Sequence, residues 1–249
     1  MNLLIPTICL RIQCLLEKLI NNISIFIIII VFTMQSFSAP ELFLLLQAIF
    51  YYEEGIYYII KEIIRFKPKT NEELKDAVEL YFKDPTKNGP MELWNTSLIT
   101  DMSFLFIDKP NFNVNINNWD VSIVKNMSFM FSGCTNFNQP LDSWDISNVT
   151  IFRGMFVNCE KFNQPIDTWD VSSITDMCFM FYLCKDFNQP LNNWDVSSVE
   201  YMGNMFRGCK NFNQPLNKWN VSSVTGMREM FSGCEKFNQP LNSWVVSKW

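Results

Sequence analysis

The sequence predicts an α/β repeat solenoid in which each 25-residue unit supplies one short strand and one short helix. Three observations predict it. Tryptophan recurs at Trp94, Trp119, Trp144, Trp169, Trp194, Trp219 and Trp244, always 25 residues apart and without insertion. Phenylalanine keeps the same step in two series, Phe106, Phe131, Phe156, Phe181, Phe206 and Phe231, then Phe112, Phe137, Phe162, Phe187, Phe212 and Phe237. Cysteine joins them at Cys134, Cys159, Cys184, Cys209 and Cys234, each followed within a few residues by a Phe-Asn-Gln-Pro block.

The elements follow in chain order. Leu19 to Pro40 carries no charge, and Ile23–Phe32 is almost wholly apolar. Residues 1–40 are therefore a candidate signal peptide or membrane anchor, and residues 19–40 the segment through which the chain would meet a membrane. Arg11 and Lys18 before the run, against Glu41, Glu53 and Glu54 after it, would place the repeats outside. The other reading is a soluble helical module, with residues 41–68 continuing as an apolar helical segment. Within residues 69–93, Asn71–Val78 resembles the helix that opens arrays of this kind and is expected as an N-terminal capping helix, and Lys83–Pro90 reads as a turn-rich linker.

Residues 94–249 are the tandem array, six units and a C-terminal stub. The first unit departs from the pattern, with Lys109 in the cysteine position, as terminal repeats often do. Within one unit, Ser147 reads as a helix N-cap. Val149, Phe152, Met155, Phe156 and Cys159 then follow on one apolar helical face. Pro165 ends the helix, and Trp169-Asp170-Val171 alternates in, out, in like a short strand. One unit cannot bury its own Trp, Met and Phe, so units must stack. The expected core ladder is Trp119, Trp144, Trp169, Trp194 and Trp219, with Phe131, Phe156, Phe181, Phe206 and Phe231, and the five repeat cysteines.

Composition excludes several functions. The 249-residue chain has no histidine, which removes the usual general base and the commonest zinc ligand. The repeat cysteines lie 25 residues apart, not in the close pairs a zinc site needs, and read as packed thiols. A net charge of −5 offers no nucleic-acid footprint. No cofactor, metal or catalytic residue is expected. The candidate partner-binding strip is the outward file Asp120, Asp145, Asp170 and Asp195, continued by Asn220, for which a solvated turn position is the alternative. Positions that change between units, such as Glu160-Lys161 against Lys185-Asp186, should face solvent and be read by a protein partner. The last unit ends at Trp244 to Trp249 with Val245 in the aspartate position, an apolar end through which the chain could self-associate.

The unit Val-Thr-x-Met-x-x-Met-Phe-x-x-Cys-x-x-Phe-Asn-Gln-Pro-Leu-x-x-Trp-Asp-Val-Ser resembles the BspA-type leucine-rich-repeat family, and more narrowly the 25-residue repeat of mycoplasma surface lipoproteins. The resemblance covers about Trp94 to Trp249 and implies a leucine-rich-repeat-like solenoid with a surface or protein-binding role, an intracellular interaction scaffold being the alternative. The mycoplasma members carry a lipid-modified cysteine after their apolar run. Cys9 and Cys14 stand before it here, so lipid anchoring is not implied.

Overall fold

A computed structural model describes residues 65–85 and 87–245, which belong to one compact unit, Arg65–Trp249. The expectations for a signal peptide or anchor fall outside the described residues, as does the apolar helical segment expected over 41–68 except for residues 65–68, which are not helical. Residues 246–249 of the self-association end lie outside them as well. Among the described residues no helix is long and apolar enough to cross a membrane.

The first element is α1, Asn71–Lys83. Thr70 caps it by accepting from the Glu73 N–H at 3.1 Å, while the Glu73 carboxylate accepts from the Lys69 N–H at 2.7 Å. Glu72 and Glu73 in the first turn and Lys83 in the last complement the helix dipole. Leu74, Ala77 and Val78 form its buried stripe. A short 3-10 turn, Met91–Leu93, leads into the repeats. The Asn71 side-chain carbonyl accepts from the Thr100 and Asp101 N–H groups at 3.1 and 3.3 Å. In later units the equivalent N–H bonds the preceding unit, as Lys125 does to the Thr100 carbonyl at 2.8 Å. The helix thus supplies, through one side chain, what an earlier unit would have supplied.

The repeats differ from the expectation of a helix and a strand. Among the described residues they contain no α-helix, and β-pairing is reduced to single parallel bridges running Asp101, Asn126, Ile151, Asp176, Tyr201 and Gly226. The reason lies in where the N–H groups go. Over the expected helix, those of Phe152, Gly154, Phe156 and Asn158 donate to the Asp176, Cys178, Met180 and Tyr182 carbonyls of the next unit at 2.7–3.0 Å. Those of Met155, Val157 and Cys159 donate three residues back at 3.0–3.1 Å. Alternate N–H groups therefore point out of the unit and close tight turns within it, where a helix would send every one four residues back. Turns that each close three residues back bury nearly the same positions as a helix, which is why the apolar spacing looks helical. Val149, Phe152, Met155, Phe156 and Cys159 are all fully buried.

The expected strand over Trp169–Val171 does not form either. Its alternation survives, with Trp169 and Val171 buried and Asp170 exposed, but tight turns flank it. The bridges lie instead two residues after the buried Ile or Val that opens each turn run, Ile99, Val124, Val149, Ile174, Val199 and Val224.

Packing repeats with the same 25-residue step. The rings of Phe106, Phe131, Phe156, Phe181, Phe206 and Phe231 stack with centroids 5.5–5.7 Å apart. The series from Phe112 to Phe237 stacks beside it at 5.5–6.0 Å. Offset stacks of this kind add about 0.5–1.5 kcal/mol per pair beyond area burial. From Trp119 to Trp244 each indole donates to a carbonyl 28 residues back, as Trp144, Trp169 and Trp194 do to Ile116, Leu141 and Ile166 at 3.0–3.1 Å. Among the described residues no buried side-chain nitrogen or oxygen lacks a partner.

Candidate binding surfaces

The aspartate strip is built from local turns. Asp120, Asp145, Asp170 and Asp195 each accept, through one carboxylate oxygen, the N–H of the serine two residues on at 3.1 Å. Asn220 does the same for Ser222 at 3.2 Å. The Ser122, Ser147 and Ser172 hydroxyls donate to the same oxygens at 2.6–2.7 Å. These hydrogen bonds, the hydroxyl's first, hold the Asp145 and Asp195 carboxyls below the ordinary aspartate range. The strip is exposed as expected, but one oxygen of each aspartate is engaged in closing its own turn.

The amide file is also engaged internally. The Asn138 side-chain carbonyl accepts the Asn163 N–H at 3.0 Å and the Gln164 amide at 3.0 Å, and the contact recurs from Asn163 to Asn188 and onward. The thiols follow suit. Cys134, Cys159, Cys184, Cys209 and Cys234 each donate to a carbonyl of the preceding unit, Phe106 to Phe206, at 2.9–3.1 Å. All described cysteines are free. Burial pushes Cys134 up to about 12 and Cys234 to about 11, and raises Cys159, Cys184 and Cys209 well above the ordinary thiol range. Such thiols stay protonated and unreactive at neutral pH.

A surface that sequence reasoning missed lies on the turns hidden in the expected helix. Phe104, Phe129 and Phe179 occupy one repeat position with φ of 60°, 54° and 59°. Gly154, Asn204 and Glu229 hold the same position in other units at 62°, 56° and 54°. The left-handed φ is required because this residue is third in a turn closed by hydrogen bonds such as Leu105 N–H to the Met102 carbonyl at 3.3 Å. A bulky side chain there costs about 1–2 kcal/mol relative to glycine. Phe104 nevertheless stands 49% exposed.

These residues connect into one run. Phe104 stacks on Phe129 at 5.3 Å. The Phe129 ring lies over Gly154, where a Cβ would stand 2.3 Å from it. The Arg153 guanidinium sits over Phe179 at 5.5 Å, Phe179 meets Tyr182 edge-on at 5.9 Å, and Arg207 lies over Tyr182 at 5.9 Å. Arg153 pairs with Asp176 at 3.1 Å, and Arg207 with Glu229. Arg153, Arg207 and Arg228 are all the arginines of residues 94–249; Arg153 and Arg228 directly precede this position, and Arg207 stands three residues after it. The signal was present as a 25-residue column of unlike residues, with Gly154 standing mid-helix against helix propensity. Among the described residues no cluster of side chains is arranged to hold a metal ion.

A chain whose backbone bonds, ring stacks and thiol contacts all recur at one spacing is a tandem-repeat protein. The family model described as "Mycoplasma protein of unknown function, DUF285" matches residues 76–175 and again 156–249, and the chain belongs to that family. No curated protein and no solved structure matches it.

Proposed function

We propose that the units are windings of a leucine-rich-repeat-like solenoid of the BspA type, serving as a non-catalytic surface that binds or displays to a protein partner. The observation that carries this reading is the contrast between columns. Inward positions hold one residue type in nearly every unit, and outward positions that close no turn through their side chains change between units, as Phe104, Phe129, Gly154, Phe179, Asn204 and Glu229 do. A fold that repeats its interior and varies its exterior supplies an extended face on which specificity can be written. The apolar run before the array supports placement outside a membrane.

Photo-cross-linking tests the binding role. A photoreactive residue at outward positions of the full chain, expressed in its own cells, should capture the same protein from several units, while buried positions capture none. Absence of capture from every outward column would overturn the reading. Protease treatment of intact cells tests the placement, since repeats cleaved only after lysis would defeat it.

A further inference from the structure

We infer that the far face of the unit formed by residues 220–244 takes one further winding from another polypeptide, through a segment carrying the repeat's own Met-x-x-Met-Phe turn run. This surface is separate from the outward columns of the proposed function and does not depend on them.

The backbone gives the first observation. Four N–H groups at alternate positions join each unit to the next, at 2.7–3.2 Å throughout. Those of Met202, Asn204, Phe206 and Gly208, for example, donate to the Gly226, Arg228, Met230 and Ser232 carbonyls. In the unit beyond, the same positions are Met227, Glu229, Phe231 and Gly233, and among the described residues their N–H groups have no acceptor. The carbonyls between them face back to the preceding unit. Those of Met227, Glu229 and Phe231 close turns, accepting from Met230, Ser232 and Cys234 at 3.0–3.2 Å. The face is therefore a row of donors without acceptors among them.

The side chains give the second. Met227, Phe231, Cys234, Phe237, Leu241 and Trp244 are only partly buried, while their counterparts one unit back, from Met202 to Trp219, are at most 3% exposed. The opposite end of the stack is closed. There α1 buries Leu74 and Val78 completely, and the rings of Trp94, Phe106 and Phe112 are at most 1% exposed. An array covered at one end and bare at the other has a single face on which stacking can continue.

The donor row selects the occupant. A second copy offering the same face would set N–H against N–H and leave both rows unsatisfied. A second copy offering its first unit is held off by α1, since a helix about 10 Å across stands over that unit's rings. An ordinary β-strand alternates N–H with C=O along its edge, so its own N–H groups would find nothing to accept them here. What fits is a turn run that closes its other N–H groups on itself and turns its carbonyls out in one row. Residues 201–207 do this inside the array. The Tyr201, Gly203, Met205 and Arg207 carbonyls accept from Met177, Phe179, Phe181 and Leu183 at 2.8–2.9 Å, while Met202, Met205 and Phe206 are fully buried. The incoming segment thus continues an interface the chain already makes between its own units, by adding backbone to an open edge.

The probe is a synthetic 25-residue peptide with the sequence of residues 195–219, titrated into the full chain under reducing conditions. Amide hydrogen exchange is followed residue by residue. The expected result is saturable binding that slows exchange at Met227, Glu229, Phe231 and Gly233 at least tenfold and leaves the exposed turn from Asp145 to Ser147 unchanged. Met205→Asp with Phe206→Asp in the peptide should weaken binding at least tenfold, and Asp195→Asn in the peptide should leave it unaltered. These changes are made in the probe, so the folding of the array is untouched.

Failure of the peptide to bind overturns the proposal, as does equal binding by a scrambled peptide or by one alternating valine and threonine. Binding without slowed exchange at those four amides overturns it by placing the peptide elsewhere. Slowing that grows with protein concentration in the absence of peptide overturns it in favour of a second copy, and slowing by inorganic phosphate alone in favour of an anion. The cross-linking experiment judges the outward columns independently of all these outcomes.

Discussion

Two residues separate the column headed by Phe106 from the column headed by Phe104, and they obey different rules. The inner column is phenylalanine in all six units and stacks ring on ring at 5.5–5.7 Å. The outer column runs Phe, Phe, Gly, Phe, Asn, Glu along the same backbone turns. Inside, a ring has a ring above and below it, so any other residue leaves a gap in two neighbours at once. Outside, the only demand is a tolerable left-handed φ, and the side chain is free to answer to something else. The difference separates what the fold requires from what it merely permits.

The largest effect should come from breaking the inner column. Phe156→Ala removes a fully buried ring that stacks on Phe131 and Phe181 and touches Phe162 at 4.1 Å. Loss of about 3–5 kcal/mol is expected from burial and cavity together. Urea unfolding should show a sharply lowered midpoint, with a lower slope if the array parts at the wounded unit. An effect below ~1 kcal/mol would mean that the ring column does not join the units.

The contrast also marks how far the sequence could be read. Which residues face inward was legible, because Val149, Phe152, Met155, Phe156 and Cys159 are spaced as any structure turning every three to four residues would space them. That the turning was not helical was illegible from the same spacing. It depends on alternate N–H groups leaving the unit, and nothing in the side chains of Phe152 or Phe156 announces this. Ser147 shows the same ambiguity. Its hydroxyl read as a helix cap, and it serves instead as a donor to Asp145, since serine closes either structure. Gly133, Gly208 and Gly233 mark a second left-handed turn position, with φ of 79°, 75° and 74°. The outer aromatic run stayed hidden because it fell inside the expected helix, where left-handed residues have no place.

Next in size is the pH response of the inner thiols. Cys159, Cys184 and Cys209 are raised by burial above their unfolded value, so the proton is held more tightly in the folded state. The stability they lend is complete below the unfolded thiol pKa and drains away as pH rises from there toward the folded values. About 1 kcal/mol for each is expected to be lost one unit above the unfolded value. Urea midpoints at pH 7 and pH 9.5 check this, and substitution of the three by alanine should reduce the difference to the part left by Cys134 and Cys234. Thiol labelling at pH 8 should reach the half-buried Cys178 before any of them. Prompt labelling of the column would contradict its burial.

A smaller effect sharpens the outer column. Gly154 has φ of 62°, and an added Cβ would stand 2.3 Å from the Phe129 ring. Gly154→Ala should cost roughly 1–3 kcal/mol, from conformational strain and from displacing the ring. Phe129→Ala in the same chain should return the part due to displacement and leave the part due to φ. Gly226 provides the control, with open space around its Cβ position and no left-handed φ, so Gly226→Ala should be nearly neutral. Additive penalties for Phe129→Ala and Gly154→Ala would show that the ring and the glycine are not coupled.

The smallest effect belongs to the aspartate strip. The Ser147 hydroxyl and then its N–H hold the Asp145 carboxyl below its unfolded value. A lowered folded pKa means that this contribution is present above the unfolded aspartate value, near pH ~4, and is lost as pH falls through the folded one. Asp145 is exposed, and solvent screening limits the contribution to a few tenths of a kcal/mol. Asp145→Asn keeps an oxygen that can accept from Ser147 and removes only the charge, whereas Asp145→Ala removes the acceptor as well. At pH 7 the alanine variant should therefore be the less stable of the two, and the asparagine variant should lose less than the native chain between pH 5 and pH 3. If both variants behaved alike at neutral pH, the turn would owe nothing to that oxygen, and the aspartate file would need a role in binding to account for its presence.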